Sequence, residues 1–448
     1  MLRSCLKAIL VTAALVLFGF PLPAPADDLP PELSHWLAPQ SWQRDVTGPI
    51  ISLGNPGQFD DMHIFAPCVA EEKGAFQLWY SGSRGAPGNR VFRLGLATSS
   101  NGKQFEKYAE NPVFQMADNE HSVLTPALLR NGDGTVLREN GKLRLWFASA
   151  RLGKSGLHTL HETTSTDGIK WDDPSPVLLE NVYCPTILKS DAGYEMWFSD
   201  VSRRPWILRH AKSSDGRSWT VEKKPVMVLS QNWEAEVLVY PTVLKIDGVY
   251  LMWYGSYDNA IRRETTAIGF AASLDGVNWH KHPQNPVHRP DPTRPWESNY
   301  VGSGCVMRLV DGSFRYWYAS RKQPPFNNLY FAINTAHWSG PALTAKSQLL
   351  RLPPEKDDEG YLLIDAASGR SVETLETIDD QNAIVRAWYR PNVDSPDVTF
   401  LDLWVRGIDG KNLSAGNPAK FIQRFRSAGN QLIDTTCGKR SFVVLEAQ

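Results

Sequence analysis

Apolar residues in this chain come in short runs of strand length, and the runs recur. The stretch from Trp233 to Val287 holds the pattern once in full. It reads Trp233-Glu234, then Tyr240 to Leu244 (YPTVL), Val249 to Tyr257 (VYLMWYGSY), Ile268 to Trp279 (IGFAASLDGVNW) and Asn285-Pro286-Val287. These runs are rich in β-branched and aromatic residues and are separated by Asp247-Gly248, a polar loop and Asp275-Gly276, which are turn signals. The pattern predicts a four-stranded antiparallel meander.

Other segments repeat parts of it. The aromatic core of the second strand recurs as Leu78-Trp79-Tyr80, Leu145-Trp146-Phe147, Met196-Trp197-Phe198, Met252-Trp253-Tyr254 and Tyr316-Trp317-Tyr318, about 50 to 67 residues apart. The third strand and its turn recur in the runs ending at Phe105, Trp171, Trp219 and Trp279, each with Asn-Gly or Asp-Gly four residues before the final aromatic. A further copy, Phe331 to Trp338, has lost the turn. The first strand recurs as Ala66 to Ala70, Thr125 to Leu129, Cys184 to Leu188, Tyr240 to Leu244 and Ser303 to Met307. Proline near its start suits an innermost strand whose missing N–H faces a channel.

Repeated four-stranded sheets around an axis predict an all-β fold, a five-bladed β-propeller over residues 27–341. Trp42 to Ile51 (WQRDVTGPII) matches the outer-strand pattern of Trp279 to Val287 and is expected to close the blade that holds Trp317, with Trp338 to Leu343 as a competing candidate. Residues 342–448 form a smaller β-rich C-terminal region, with strand-like runs at Tyr361 to Ile364, Ala383 to Tyr389, Val398 to Val405 and Phe442 to Leu445. A small β-sandwich or a set of strands packed on the propeller is the expected form. A tryptophan present in every blade at the same place reads as blade-to-blade packing, so function belongs where the blades differ.

Composition narrows the reading. With 448 residues and 42% hydrophobic content the chain can bury a large core, and a net charge of −1 argues against a nucleic-acid binder. The basic start (Arg3, Lys7), the apolar run Ala8 to Phe20 and the small residues Ala24-Pro25-Ala26 predict a cleaved signal peptide over residues 1–26, export to the periplasm or beyond, and no membrane span afterwards. Cys68, Cys184, Cys305 and Cys437 remain after cleavage. The first three fall in apolar strand runs and read as buried free thiols, and no cysteine or histidine spacing suits a metal. No cofactor is implied.

Antiparallel geometry places the loops before each inner-strand proline and after each Trp-Tyr or Trp-Phe pair at one mouth of the channel. The first set brings Asp60, Asp61 and His63, then Glu120 and His121, Glu180, Glu234 and Glu236, and Glu297. The second brings Arg84, the run Ser149 to Lys154, Asp200 and Arg203, Asp258 with Arg262 and Arg263, and Arg321. Carboxylates interleaved with arginines suit a polar or anionic ligand, since guanidinium binds carboxylate, sulfate or phosphate in a bidentate fork. His158 and His161 are three apart in a strand, point to opposite faces and make a poor metal pair.

MWYGS, IGFAASLDGVNW and NPV together resemble the five-bladed propeller superfamily that includes glycoside hydrolase families 43, 32, 68, 117 and 130, over about residues 42 to 340. The Ser-x-Asp-Gly-x-x-Trp run also resembles the sialidase Asp-box, one residue short, and is read as shared hairpin chemistry. In the hydrolases the resemblance implies three acids, immediately before the inner-strand proline or one residue further from it. Here those places hold Ala66, Thr125 and Tyr183-Cys184. Glycoside cleavage needs a carboxyl group to protonate the leaving oxygen and a second to attack or activate water. Asp60 or Asp61, Glu120, Glu180, and Glu234 or Glu236, five to seven residues before the proline, are left for that role, with Asp61 and Glu234 as the first choice of pair. Asp60, His63, Arg84, His121, Asp200, Arg203, Glu236, Asp258, Glu297 and Arg321 are expected to bind substrate. The resemblance implies an exported glycan-processing protein, a glycoside hydrolase first, with a non-catalytic carbohydrate-binding propeller or a phosphate-using glycoside phosphorylase as alternatives.

Overall fold

A computed structural model describes residues 29–341, apart from 86–89, 153–155, 191, 258–265, 310–311 and 323–330, together with eight strands between 348 and 445. The expected signal segment 1–26, Lys154, Asp258, Arg262, Arg263 and Cys437 lie outside the described residues.

The chain is a β-propeller. After helix α1 (Pro31–Ser34) and strand β1 (Ile51–Ser52) it runs through successive antiparallel meanders. The first is β2 (His63–Glu72), β3 (Ala75–Ser83), β4 (Phe92–Ser99) and β5 (Glu106–Lys107). The second is β6 (Ser122–Leu128), β7 (Leu143–Ala150), β8 (Thr159–Ser165) and β9 (Leu179–Glu180). The third is β10 (Val182–Ser190), β11 (Gly193–Asp200), β12 (Ile207–Ser213) and β13 (Thr220–Val221). The fourth is β14 (Val239–Ile246), β15 (Val249–Tyr257), β16 (Thr266–Ser273) and β17 (His280–Lys281). The fifth is β18 (Tyr300–Arg308), β19 (Phe314–Arg321) and β20 (Phe331–Trp338), and its outer partner is β1, through Ile51 opposite Ile333 and Ser52 opposite Ala332. Asp45 accepts from Arg315 of β19 at 2.9 Å and lies 2.7 Å from Lys103 of the first meander, so one carboxylate ties the seam from both sides.

The repeated tryptophan and the repeated Asx-Gly turn are the two halves of one hydrogen bond between blades. Trp79 donates to the Gly168 carbonyl at 2.9 Å, Trp146 to Gly216 at 2.8 Å, Trp197 to Gly276 at 2.7 Å and, across the seam, Trp317 to Gly102 at 2.8 Å. Gly168 sits at φ 76°, and a Cβ there would stand 2.7 Å from the Trp79 ring, so the turn needs glycine twice over. Trp253 faces the blade that lost its turn; its indole N–H is buried without a partner among the described residues, and the Trp42 ring packs against it edge-on.

Each inner strand carries a β-bulge where it enters the channel. The bulge residues Ala66, Thr125, Cys184, Tyr240 and Ser303 lie at φ between 32° and 54°. Ser303 Oγ accepts the Ala66 N–H at 3.1 Å, and Thr125 Oγ1 accepts the Cys184 N–H at 3.2 Å, so side chains at bulges stitch one blade to the next. Pro67, Pro126, Pro185 and Pro241 follow the bulges and line a cavity of about 40 Å³, room for a few waters and no sugar ring. The loop 131–135 crosses the far end, giving the Gly132 carbonyl to Lys245 N–H and the Asp133 carbonyl to Arg308 N–H.

Cys68, Cys184 and Cys305 are buried free thiols. Cys305 Sγ accepts from Arg130 Nη1 at 2.9 Å inside the channel, and among the described residues no carboxylate pairs with this arginine. Burial raises the Cys305 thiol, and the adjoining Cys68 thiol and Arg130 guanidinium outweigh it, bringing it down to about 6.

The C-terminal strands β21 (Gln348–Arg351), β22 (Tyr361–Ile364), β23 (Val372–Glu373), β24 (Ile384–Pro391), β25 (Thr399–Arg406), β26 (Gln423–Ala428), β27 (Gln431–Asp434) and β28 (Ser441–Leu445) form an antiparallel sheet in the order β22-β21-β28-β27-β26-β25-β24-β23. It curls so that β22 lies against β24.

Candidate functional site at the channel mouth

Strand ends from every blade meet at one mouth. His63 opens β2, Phe92 opens β4, Tyr300 opens β18, Phe331 opens β20 and Arg321 closes β19. Tyr183 precedes the bulge of β10 and Tyr240 is the bulge residue of β14, so the bulge turns both rings to the mouth. Their hydroxyls are 3.4 Å apart. The Trp206 ring meets Tyr183 edge-on at 6.0 Å, and His158 lies 4.9 Å from the same tyrosine.

The cations at this mouth are stacked on aromatic faces. The Arg321 guanidinium lies 4.1 Å from the Tyr300 ring centre and 5.9 Å from Phe331, and Arg90 lies 5.4 Å from Phe92. Arg90 Nη1 is 3.2 Å from His63 Nδ1, and because arginine has only donors the imidazole nitrogen accepts. Burial, then the fields of Arg90 and Arg321, hold His63 well below the usual histidine range, so it is neutral. Its ring stacks on Phe331 at 3.8 Å. Burial raises the Tyr183, Tyr240 and Tyr300 hydroxyls, which leaves three neutral phenols able to donate and accept.

Of the residues expected from sequence, His63 and Arg321 are here. Asp60, Glu234 and Glu297, expected on the rim, are instead buried inside their own blades. Each binds the tyrosine that follows the blade's tryptophan: Tyr80 reaches Asp60 at 2.8 Å, Tyr254 reaches Glu234 at 2.7 Å and Tyr318 reaches Glu297 at 2.6 Å. A cation closes each clasp: Lys107 on Asp60, Lys281 on Glu234, and Arg44 with Arg294 on Glu297, all at 2.6 Å. The Glu234 carboxylate also takes the Ser230 and Gln231 N–H groups and has 0% side-chain exposure, so it is a structural anchor with no free lone pair toward a ligand. Of the pair expected first, Glu234 is thus enclosed within its blade, and Asp61 accepts the Gly57 N–H of its own loop at 2.7 Å.

The other expected residues are spread around the rim. Arg84 is exposed, 3.4 Å from the Gly57 carbonyl. Glu120 is exposed beside Arg151, and His121 is bound to Asp118. Glu180 is exposed on β9, an outer strand and not a loop. Asp200 accepts from Arg209 at 2.8 Å and from Ser202 N–H; burial raises its carboxyl, but these bonds outweigh it and keep it ionised. Arg203 is exposed. Glu236, at φ 60°, pairs with Arg204 at 3.0 Å and gives its carbonyl to Trp206 N–H, which brings it next to the ring that packs on Tyr183.

Tyr183, Tyr240, Tyr300, Trp206, Phe331 and Arg90 were not foreseen. A signal existed: the residues just before the inner-strand proline differ from blade to blade, with Tyr240 directly before Pro241 and Tyr183 two before Pro185.

No family model matches the chain. Two uncharacterized proteins of Mycobacterium tuberculosis, from strains CDC 1551 / Oshkosh and ATCC 25618 / H37Rv, are each 25% identical over 222 residues, 46% of this chain and 71% of the relative. Among solved structures, a protein described as a glycoside hydrolase superposes with a TM-score of 0.55 at 16% identity, over 68% of this chain and 94% of its own. A glycoside hydrolase family 130 enzyme, of a group targeting β-1,2 mannosidic linkages in Candida mannan, gives 0.52 at 15% identity over 67% and 94%. An N-acetylgalactosamine deacetylase from F. plautii, in complex with blood group B trisaccharide, gives 0.51 at 14% identity over 66% and 96%. The chain shares the β-propeller fold of these carbohydrate-handling proteins.

Proposed function

We propose that this chain is an exported glycan-processing enzyme, a glycosidase first, that takes its substrate at the channel mouth. The observation that carries the reading is the convergence of Tyr183, Tyr240, Tyr300 and Trp206 with Arg90 and Arg321 above a channel too narrow for sugar. Aromatic faces suit the apolar faces of sugar rings, neutral phenols suit hydroxyls, and guanidinium suits an anionic substituent. The likeness of fold to glycoside hydrolases supports the same class, although one fold hosts several chemistries and the site must decide.

Glu236 leads the candidates for acid–base chemistry, because it alone of the rim carboxylates adjoins this cluster through a described contact, with ionised Asp200 on the same side of the mouth. Asp61, Glu120 and Glu180 remain rim carboxylates in reserve. The test is incubation of the purified chain with neutral, uronic and sulfated glycans, with and without phosphate, following new reducing ends. Release without phosphate, lost in Glu236→Gln at unchanged melting temperature, is the expected result. Release only with phosphate points to phosphorolysis.

A second reading, a carbohydrate-binding propeller without turnover, is favoured by the bulge positions. Ala66, Thr125 and Cys184 carry no carboxylate there, and the Thr125 hydroxyl is occupied by the next blade. Saturable glycan binding with no product from any member of the panel would establish it.

A further inference from the structure

We propose that Cys305 and Cys68 form a peroxide-reactive thiol pair in the channel, and that its oxidation to a disulfide locks the fifth blade to the first. The proposal is independent of what the mouth binds.

One residue from each blade, directly after the inner-strand proline or its equivalent Gly304, lines the channel cavity: Cys68, Ala127, Thr186, Thr242 and Cys305. Three of these side chains accept an N–H from the next blade: Cys68 from Leu128 at 3.3 Å, Thr186 from Val243 at 3.4 Å and Cys305 from Val69 at 3.3 Å. A hydroxyl does this at Thr186, so the packing does not require sulfur. The two sulfurs fall on neighbouring blades, one on each side of the seam. Val69 follows Cys68 in the chain, which puts the Cys305 sulfur against the backbone beside Cys68, and the two thiols share a hydrogen bond.

Arg130 decides which sulfur attacks. Its Nη1 donates to Cys305 Sγ at 2.9 Å, and the Val69 N–H and the Cys68 thiol donate to the same sulfur. The one contact that needs a proton on Cys305, to the Val69 carbonyl, is the longest at 3.5 Å. Three donors around one sulfur favour the thiolate, which is the nucleophilic form of cysteine. Cys68, raised by its bond to Cys305 and by burial, keeps its proton. The cavity of about 40 Å³ touches both sulfurs, so it suits hydrogen peroxide, a molecule little larger than water, and excludes bulky thiol reagents.

The Cys305 thiolate attacks one peroxide oxygen: an S–O bond forms, the O–O bond breaks, and the other oxygen leaves as hydroxide and takes a proton from solvent. Cys305 is then a sulfenic acid. The Cys68 sulfur turns from the Leu128 N–H and attacks Cys305: the S–S bond forms, the S–O bond breaks, and the departing hydroxide takes the Cys68 proton. Two thiols lose two electrons, and the peroxide is reduced to two waters.

The experiment treats the reduced full chain, freed of reductant, with a small excess of hydrogen peroxide and maps its cysteines by peptide mass spectrometry after alkylation. A peptide joining Cys68 to Cys305, released by dithiothreitol, is the expected product. A chain purified with that bond already present supports the same pair and is reduced first. In Cys68→Ser the reaction should stop at a Cys305 sulfenic acid trapped by dimedone, and in Cys305→Ser the Cys68 thiol should stay reduced. Arg130→Met should slow the oxidation about tenfold or more at unchanged melting temperature, and Arg130→Lys, which keeps the charge, should retain most of the rate. An aromatic disulfide reagent should label these two thiols only after unfolding in urea. Cys68 and Cys305 both unmodified in the peroxide-treated folded chain, or either joined to Cys184 or Cys437 instead, overturns the proposal. So does labelling of the folded chain by the bulky reagent as fast as by peroxide, since the thiols then react by unfolding and not through the channel. The wild-type map decides the matter even if a variant does not fold.

Discussion

Glu234 stands where a catalytic acid was expected, and its surroundings give a number to check. The carboxylate accepts four kinds of donor: Tyr254 Oη at 2.7 Å, Lys281 Nζ at 2.6 Å, and the Ser230 and Gln231 N–H groups at 2.6 and 3.0 Å. Burial lowers Lys281 against the pull of Glu234, and Tyr254 is raised by burial and by the nearby carboxylate. Glu234→Gln keeps the shape but leaves the Lys281 ammonium, with 12% side-chain exposure, beside a neutral amide. Stranding one member of a buried pair costs about 3 to 5 kcal/mol. Tyr254→Phe removes one hydrogen bond to a charged group, about 1.5 to 3 kcal/mol. In the third blade the same two places hold Phe198 and Val221, packed in one apolar cluster with Leu178. Glu234→Leu with Tyr254→Phe and Lys281→Val should therefore recover most of what Glu234→Gln loses. Thermal unfolding followed by circular dichroism reads the result: at roughly 2 to 4 °C per kcal/mol for a domain of 150 to 250 residues, Glu234→Gln melts on the order of 10 °C lower. A Glu234→Gln protein that melts with the wild type yet has lost all glycan turnover would falsify the anchoring role and return this residue to the chemistry.

The interblade tryptophans predict a contrast: Trp146→Phe leaves the buried Gly216 carbonyl without its described donor and costs about 1 to 3 kcal/mol more than Trp253→Phe, whose indole N–H has no partner to lose among the described residues, and urea midpoints measure it. Glu139 sets an acid limit. Burial raises its carboxyl, but bonds from Arg144, Lys189 and Tyr194 bring it from 4.5 to about 2. The folded state binds the proton more weakly than the unfolded chain, so this stabilisation is present above about pH 4.5 and is lost as pH falls toward 2. Glu139→Gln should flatten the melting temperature against pH over that window, and an unchanged slope there refutes the assignment. In the channel, Cys305→Ala removes one hydrogen bond to a charged group, leaving Arg130 with the Val306 and Val69 carbonyls, and should cost about 1.5 to 3 kcal/mol. Arg130→Met combined with Cys305→Ala should lie nearer the wild type than the single change, and simple additivity in a double-mutant cycle counts against a coupled pair.

What could be read in the residues depended on repetition. Trp79, Trp146, Trp197 and Trp317, and the glycines that accept from them, recur at fixed places, because every blade must solve the same packing problem. The clasps were legible in principle as well. Tyrosine follows tryptophan at Tyr80, Tyr254 and Tyr318, where Asp60, Glu234 and Glu297 stand six residues before the bulge, and phenylalanine follows it at Phe147 and Phe198, where Asn119 and Leu178 stand instead. An acid that covaries with a buried tyrosine is a hydrogen-bond partner before it is a reagent. The mouth was less legible for two physical reasons. Arg90 lies outside the repeated runs, so nothing marks it. Tyr183 and Tyr240 sit in strands where aromatic residues look like core, and they reach the mouth at a bulge with positive φ.

On the proposed reading, the bulges also place the chemistry further out than in the hydrolases whose fold the chain shares. At these positions φ is strained for an L-residue, and at Ala66, Thr125, Cys184 and Ser303 the side chain is buried, while Tyr240 is half-buried. Ser303 and Thr125 use their hydroxyls to accept the N–H of the next bulge, which leaves that backbone group satisfied. A carboxylate introduced at Thr125 would still find the Cys184 N–H in reach and would be drawn into the same bond, held ionised and turned from the mouth. Restoring an acid at a bulge is thus not enough to restore a reagent. Glu236 is in a different position: its backbone also lies at positive φ, but its carbonyl, not its carboxylate, makes the bond to Trp206. Its side chain stays at the rim with Arg204, beside the aromatic floor on which a sugar would rest.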